Sequence, residues 1–382
     1  MPVGDLSDIR PSLYVGFAVA SIGGPLALLT MFPGVAGDGI ESAALVVVLS
    51  LALFAAPVAI WLSFSRTVVT SGGLTAFVDA AVGRRLALVH GWIWIFAYFL
   101  YLPYTITAVV YDTLTPVFPG LEPYRGALEL LLPVAIVLLA LGPVRPLLAG
   151  LGVLAAVQLV LLVVMSIVEL RHVGHVPVAA ASAHDTTRAA AATALLFICA
   201  SLPLYLGAEV RGGSRVVRRG LVLAVGLTGV AFFLAAFPLA AVPDELLHAE
   251  VPGAAIAQAY SGRGLAVVVG LVTALSILSL IVAEYLALGR LIHWLHGFRL
   301  RAVLMWIAVP FVVGDAISLI DPDRFYDDLL KPSLGALFVS QLIVFAVFPL
   351  YRRGAAALGL AAVSAALAVW GLYQLIAGTA ST

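Results

Sequence analysis

The chain has 382 residues, 63% of them hydrophobic and only 10% charged, with a mean hydropathy of +1.13. Soluble domains carry about 25% charged residues, so a soluble globular fold is excluded and one integral domain, partnered by the lipid bilayer, is expected. Lys+Arg and Asp+Glu balance at 20 each, and the arginines lie scattered between apolar runs, which offers no basic face for nucleic acid.

The segment Met1 to Arg10 carries Asp5 and Asp8 and lacks a basic n-region. No signal peptide is expected, and the first span is read as retained. About 20 apolar residues cross a bilayer as helix. Eleven runs qualify: 12–35, 41–64, 86–111, 126–142, 146–169, 189–209, 217–242, 264–289, 302–320, 333–350 and 355–377. Gly73 to Val82 and Ala254 to Tyr260 read as short helices that do not span. With the N-terminus inside, most arginines fall on that side, including Arg84, Arg85, Arg218, Arg219, Arg352 and Arg353. The positive-inside rule then predicts a cytoplasmic N-terminus, in a cell (plasma or inner) membrane. The single cysteine, Cys199, excludes an intrachain disulfide.

Two spans are interrupted. The first holds Ser21-Ile22-Gly23-Gly24-Pro25 at mid-depth, and the sixth holds Cys199-Ala200-Ser201-Leu202-Pro203. Proline lacks an N–H and its ring clashes with the preceding turn. Broken backbone at membrane depth is tolerated only inside protein or along a cavity. Simple proline kinks are the competing reading. Paired breaks in corresponding spans of two halves point instead to a transporter built from inverted repeats, with its site at the midplane. In the first span Pro25 would start a new half-helix capped by Gly24, with Leu26 and Ala27 offering N–H donors to an anion. In the sixth, Ser201 or Leu202 would cap a half-helix with Pro203 in its first turn.

The stretch from Gly72-Gly73 through Phe77 and Gly83 to Gly91-Trp92 resembles a segment of the amino acid–polyamine–organocation (APC) superfamily of permeases. So do Ala208-Glu209-Val210-Arg211 with Ser214, Arg215, Arg218 and Arg219, and Leu288-Gly289-Arg290-Leu291. The resemblance implies an all-α polytopic protein of LeuT type. It would have about 11 transmembrane helices, a five-plus-five inverted repeat with broken helices 1 and 6, and one extra C-terminal helix. The repeats would be 12–169 and 189–350, with the extra span at 355–377. It also implies secondary transport, as symporter or antiporter, of a small amino acid or related amine by alternating access. Where that family often reads Gly-Ser-Gly, this chain has Gly23-Gly24-Pro25, with one donor fewer.

The expected substrate contacts are Ser21, Ile22, Gly23 and Gly24 at the first break and Ile198, Cys199 and Ser201 at the second. Tyr98, Tyr101 and Thr105 join them from span three. Neither break carries an acidic or basic side chain in sequence, which favours a neutral amino acid. No resident cofactor, metal site or catalytic residue is expected. Coupling to H+ or Na+ stays open. Its candidates are the intramembrane Glu284, Gln158 where some proton-coupled relatives place a lysine, and Ser276 and Ser279 as oxygen ligands. Asp315, in span nine, reads as a snorkelled or cavity-facing carboxylate. Two other functions compete. One is a membrane-embedded enzyme using Asp321, Asp323, Asp327 and Asp328. The other is an amino acid sensor on the transporter fold. The loop with His172, His175 and His184 is a weak metal candidate.

Overall fold

The computed structural model describes residues 9–377 and is helical throughout. Asp5 and Asp8 lie outside the described residues. Ten continuous helical runs are long and apolar enough to cross a bilayer. The first, Pro11–Phe64, has 54 residues. At about 1.5 Å per residue that far exceeds a hydrocarbon core of about 30 Å. It divides into α1 (Pro11–Ala20), α2 (Pro25–Ala36) and, beyond a 3-10 turn at Gly37–Ser42, α3 (Ala43–Phe64). The crossings therefore come to about eleven, a broken first span and ten others.

After α3 comes the short α4 (Gly73–Val82), then the third span, α5 (Arg84–Ala108), with a π-helical turn at Val109–Leu114. Spans four and five are α6 (Arg125–Leu141) and α7 (Val144–His172). The sixth begins as α8 (Ala183–Leu196) and continues as a 3-10 run, Ile198–Glu209. Span seven is α9 (Gly213–Ala236). The short α10 (Pro252–Ser261) leads into span eight, α11 (Arg263–His296). The chain ends with α12 (Leu300–Ser318), α13 (Pro322–Tyr351) and α14 (Ala355–Ala377).

One local device recurs across the two halves. α4 and α10 each have 10 residues, and each turns into a long span at a glycine followed by arginine. Gly83 has φ 91° and ψ 170°; Gly262 has φ 84° and ψ 179°. A side chain is strained at such a φ, so glycine is the residue that allows this corner. The sequences after the corner, Gly83-Arg84-Arg85-Leu86-Ala87 and Gly262-Arg263-Gly264-Leu265-Ala266, echo one another.

Spans three, six and eight are the most enclosed, while four and nine show most of their surface outward. Trp306, Ile320, Leu138 and Val153 are exposed, as a lipid-facing surface requires. Span one packs on spans five, six, seven and eight, and span three on eight, nine and ten. Apolar burial does not drive helices together in lipid, so close backbone approach between small residues does much of the holding. α1 and α7 show this directly. A Cβ on Gly16 would lie 2.7 Å from the Gly152 Cα, whereas one on Gly152 would lie 3.4 Å from the Gly16 Cα.

The face carrying the N-terminal segment is tied shut. Ile9 N–H donates to the Glu209 carbonyl at 2.9 Å, and Arg211 N–H donates to the Ile9 carbonyl at 3.0 Å. Arg290 on α11 donates two bonds to Glu209, Nε to Oε1 at 2.6 Å and Nη2 to Oε2 at 3.0 Å. Both side chains are buried. The two residues come from separate sequence motifs and meet here as one bidentate pair.

The acidic stretch at the start of α13 is a helix start. Asp321 accepts from the Arg324 N–H at 3.1 Å, and Arg324 pairs with Asp328 at 3.4 Å. His172 stacks on Tyr260 with ring centroids 4.9 Å apart.

Overpacking costs typically about 1–3 kcal/mol. Gly16→Ala is expected to lower the melting temperature in detergent by several degrees and Gly152→Ala by clearly less. Equal losses would show that the α1–α7 contact is not limiting.

Candidate functional site

The first break is built by backbone conformation. Gly23 and Gly24 have φ of 65° and 67°. α1 stops at Ala20, and Pro25 occupies the first position of α2 behind Gly24 as its cap. A Cβ on Gly23 would lie 3.3 Å from the Leu196 carbonyl oxygen, at the end of α8. One on Gly24 would lie 2.8 Å from the Ser276 carbonyl oxygen on α11. The first break therefore touches spans six and eight through bare backbone.

A helix start inside a membrane must satisfy its own N–H groups. Pro25 has none. Leu26 N–H donates to Gln158 Oε1 at 3.4 Å, and Ala27 N–H to Ser276 Oγ at 3.3 Å. Leu28 N–H returns to the Gly24 carbonyl at 3.1 Å. The Ser276 hydroxyl donates to Gln158 Oε1 at 2.7 Å, and Ser279 donates to the Ser276 carbonyl at 2.7 Å. Spans five and eight thus cap α2 with side chains. The donors expected at Leu26 and Ala27 are taken up by the protein.

The second break differs from expectation. No new α-helix starts at Pro203. Instead the chain winds as 3-10 helix over 12 residues, Ile198–Glu209. Such runs seldom exceed three or four residues unless their surroundings hold them. Here Tyr14 Oη on α1 donates to the Pro203 carbonyl at 3.2 Å, and the Glu209–Arg290 pair fixes the end of the run. Ser201 Oγ turns back to the Ile198 carbonyl at 3.3 Å, as Ser21 Oγ does to the Ala18 carbonyl at 3.0 Å. Both hydroxyls serve their own helix ends. Ile22 is buried, and Ile198 faces Phe54, Phe345 and Leu367 of spans two, ten and eleven.

The premise that neither break carries an acidic side chain is corrected. Glu284, on α11 and fully buried, lies beside the second break, where the Cys199 thiol donates to its Oε1 at 3.8 Å. Its Oε2 has no hydrogen-bond partner among the described residues. A sequence shows which residues share a helix face, but not which face of span eight meets the break in span six. Span three supplies the remaining wall. Tyr98 lies 5.7 Å from Tyr101, Tyr101 5.1 Å from Tyr104, and Tyr104 5.4 Å from Tyr326 of α13, measured between ring centroids. Tyr98 and Tyr104 are buried, and their hydroxyls meet no partner of good geometry. Thr105 Oγ1 bonds to the Tyr101 carbonyl at 2.7 Å, a helix-internal contact.

Asp315 is also corrected. It is fully buried, and neither of its carboxylate oxygens has a hydrogen-bond partner among the described residues. Glu129, on α6, was missed. Its Oε1 accepts from Thr107 and from Ser318, each at 2.6 Å. Glu129 stands alone among apolar residues one turn into span four, a signal the sequence did contain. Glu169, buried near the end of α7, was missed in the same way.

No protein-family model matches the chain, and no curated protein sequence matches it. Solved structures do. MhsT in complex with L-phenylalanine is similar at a TM-score of 0.66 and 14% identity, over 95% of this chain and 97% of that one. A Na+-coupled sialic acid symporter matches at TM-score 0.62 and 11% identity, over 96% and 89% of the two chains. The manganese transporter of Eremococcus coleocola matches at TM-score 0.55 and 13% identity, over 95% and 88%.

A hydrogen-bonding partner removed from a buried group costs about 1–3 kcal/mol. Gln158→Leu strips an acceptor from both Leu26 and Ser276. It is expected to lower the melting temperature more than Gln158→Glu, which keeps the acceptor; the reverse order would contradict the capping role. The paired broken spans, the short helices before spans three and eight and these matches establish this chain as a multi-pass membrane protein of the LeuT-type fold.

Proposed function

We propose that the chain is a secondary transporter of a small amino compound, an amino acid or related amine, working by alternating access in a cell membrane with its N-terminus cytoplasmic. One observation carries the reading. The two broken spans touch at Gly23 and Leu196, and around them lie buried polar atoms that meet no hydrogen-bond partner of good geometry among the described residues: Glu284 Oε2 and the Tyr98 and Tyr104 hydroxyls. Unmet polar groups at a backbone break inside a membrane are costly, and a ligand relieves that cost. The residues proposed to contact it are Gly23, Gly24, Tyr98, Tyr101, Cys199 and Glu284. The similar solved structures include a manganese transporter and a Na+-coupled sialic acid symporter, and MhsT is in complex with L-phenylalanine.

Spans one and six move against a scaffold of the other spans in this reading. Release toward the N-terminal face requires separation of Glu209 from Arg290, with Ile9 still paired to Glu209 and Arg211. Coupling to H+ or Na+ belongs to the same proposal. A Na+ ion between Ser276 and the carbonyls of the first break competes with the Ala27 N–H for the Ser276 oxygen.

The test is uptake of labelled amino acids and amines into proteoliposomes, with and without Na+ and a pH gradient. Wild type is expected to accumulate at least one class. Gly24→Leu, which combines a strained φ with overlap on Ser276, is expected to lose at least tenfold. Binding without flux would replace the transporter by a sensor. No binding and no flux in wild type, or an unimpaired Gly24→Leu, would sink the proposal.

A further inference from the structure

We infer that the substrate is an organic ammonium without an α-carboxylate, held by Glu284 against the tyrosines of span three. The inference rests on the transporter reading above and names its substrate class. Three independent observations lead to it.

The first is a charge without a counter-ion. Glu284 is fully buried, its only hydrogen bond comes from a thiol, and it forms no ion pair among the described residues. The nearest basic residue along its helix, Arg290, is committed to Glu209 and to the Leu286 carbonyl. A buried carboxylate without a partner costs several kcal/mol. A bound cation supplies the missing charge and the missing donor together.

The second is the lack of a place for a carboxylate. An amino acid carries both charges, and its anionic end is suited to the N-terminus of a broken helix. Here that terminus is filled: Pro25 has no N–H, and those of Leu26 and Ala27 are held by Gln158 and Ser276. A carboxylate at this end would have to displace two side chains that also bond each other at 2.7 Å. The site therefore has an anion for an ammonium group and no helix-end donor for an anionic one.

The third is the approach. Tyr98, Tyr101 and Tyr104 all lie within electrostatic reach of Glu284. The series runs on by ring contact to Tyr326. Tyr326 in turn lies within reach of Asp112 and Asp327, and Asp112 within reach of Asp323 and Glu250. These four carboxylates are exposed. Arg263 lines the same depression as Glu250, while Arg324 is paired with Asp328. Acidic groups thus rim one end of a tyrosine series, and a buried acid stands at the other. Aromatic faces attract ammonium groups by about 0.5–2 kcal/mol, more when water is excluded, and an acidic rim concentrates cations.

The experiment uses the full chain in proteoliposomes and matched probes that differ only by the carboxylate: phenethylamine against L-phenylalanine, and putrescine against L-ornithine. At least one amine is expected to bind and be taken up at least tenfold better than its amino acid. Glu284→Gln, which keeps shape and removes the charge, is expected to melt no lower than wild type and to lose amine binding at least tenfold. Glu284→Asp should restore part of it. Cys199 gives a direct readout, because it is the single cysteine and touches Glu284. The amine should slow its alkylation by N-ethylmaleimide in wild type but not in Glu284→Gln. Amino acids bound as tightly as their amines would overturn the inference while leaving the transporter reading standing. So would amine binding that survives in Glu284→Gln while the pH dependence of uptake is lost, which marks a proton site. Binding of Mn2+ with no binding of either amine would also overturn it. Absence of flux for every probe would count against the transporter reading itself.

Discussion

Everything at the centre of this molecule depends on where one helix start finds its hydrogen-bond partners. α2 begins inside the bilayer, where water is not available to its first N–H groups. Gln158 and Ser276 answer that need from two other spans. The same contacts fix spans five and eight against span one and set the depth at which α2 begins. Proline at the first position reduces the demand by one donor, which is the position where its missing N–H matters least.

The two breaks solve one problem by opposite means. The first is short, made by two glycines in the left-handed region and then capped by side chains. The second is long and has no cap, because its backbone bonds are met within a tightened helix from Ile198 to Glu209. Tighter winding has poorer hydrogen-bond geometry, so the second break is held from outside. Tyr14 grips it at Pro203, and Arg290 grips it at Glu209. The first break is therefore the more fixed of the two. The second is held by one hydrogen bond from span one and one ion pair from span eight.

Much of the fold was legible in the sequence, because span length and broken spans are local signals. The eleven apolar runs and the short helix at Gly73–Val82 follow from hydropathy and glycine placement alone. The repeat was harder to read. Its clearest trace, the echo of residues 83–87 in residues 262–266 opening spans three and eight, is five positions long and shows only when the matching corners are seen. At the site, local readings held where backbone chemistry decided them, as at Gly24 and Pro25. Ser21 and Ser201, expected as substrate contacts, each donate to a carbonyl three residues earlier, a local bond. Contacts between spans were not legible. Glu284, a coupling candidate on span eight by sequence, touches Cys199 of the second break. Asp315 and Glu129 show the same limit, since hydropathy places an acid at membrane depth but cannot say whether it meets lipid, a cavity or a hydroxyl.

The closed face also explains why two separated motifs both carry charge. Glu209 ends the second break and Arg290 ends the enclosed part of span eight; alone, each would be an unpaired ion in a low-dielectric interior. Together they form a bidentate pair whose removal by one partner would strand the other. The Ile9 segment adds two backbone bonds on either side of Val210, so span one and span six are joined at this face by their main chains. Span eight is joined to them only by side chains. Separation between spans six and eight here breaks one ion pair and leaves the helices intact, whereas separation of spans one and six breaks main-chain pairing. At this face the cheaper separation is thus between span eight and the joined pair of spans one and six, while at mid-depth the same separation also costs α2 its Ser276 cap.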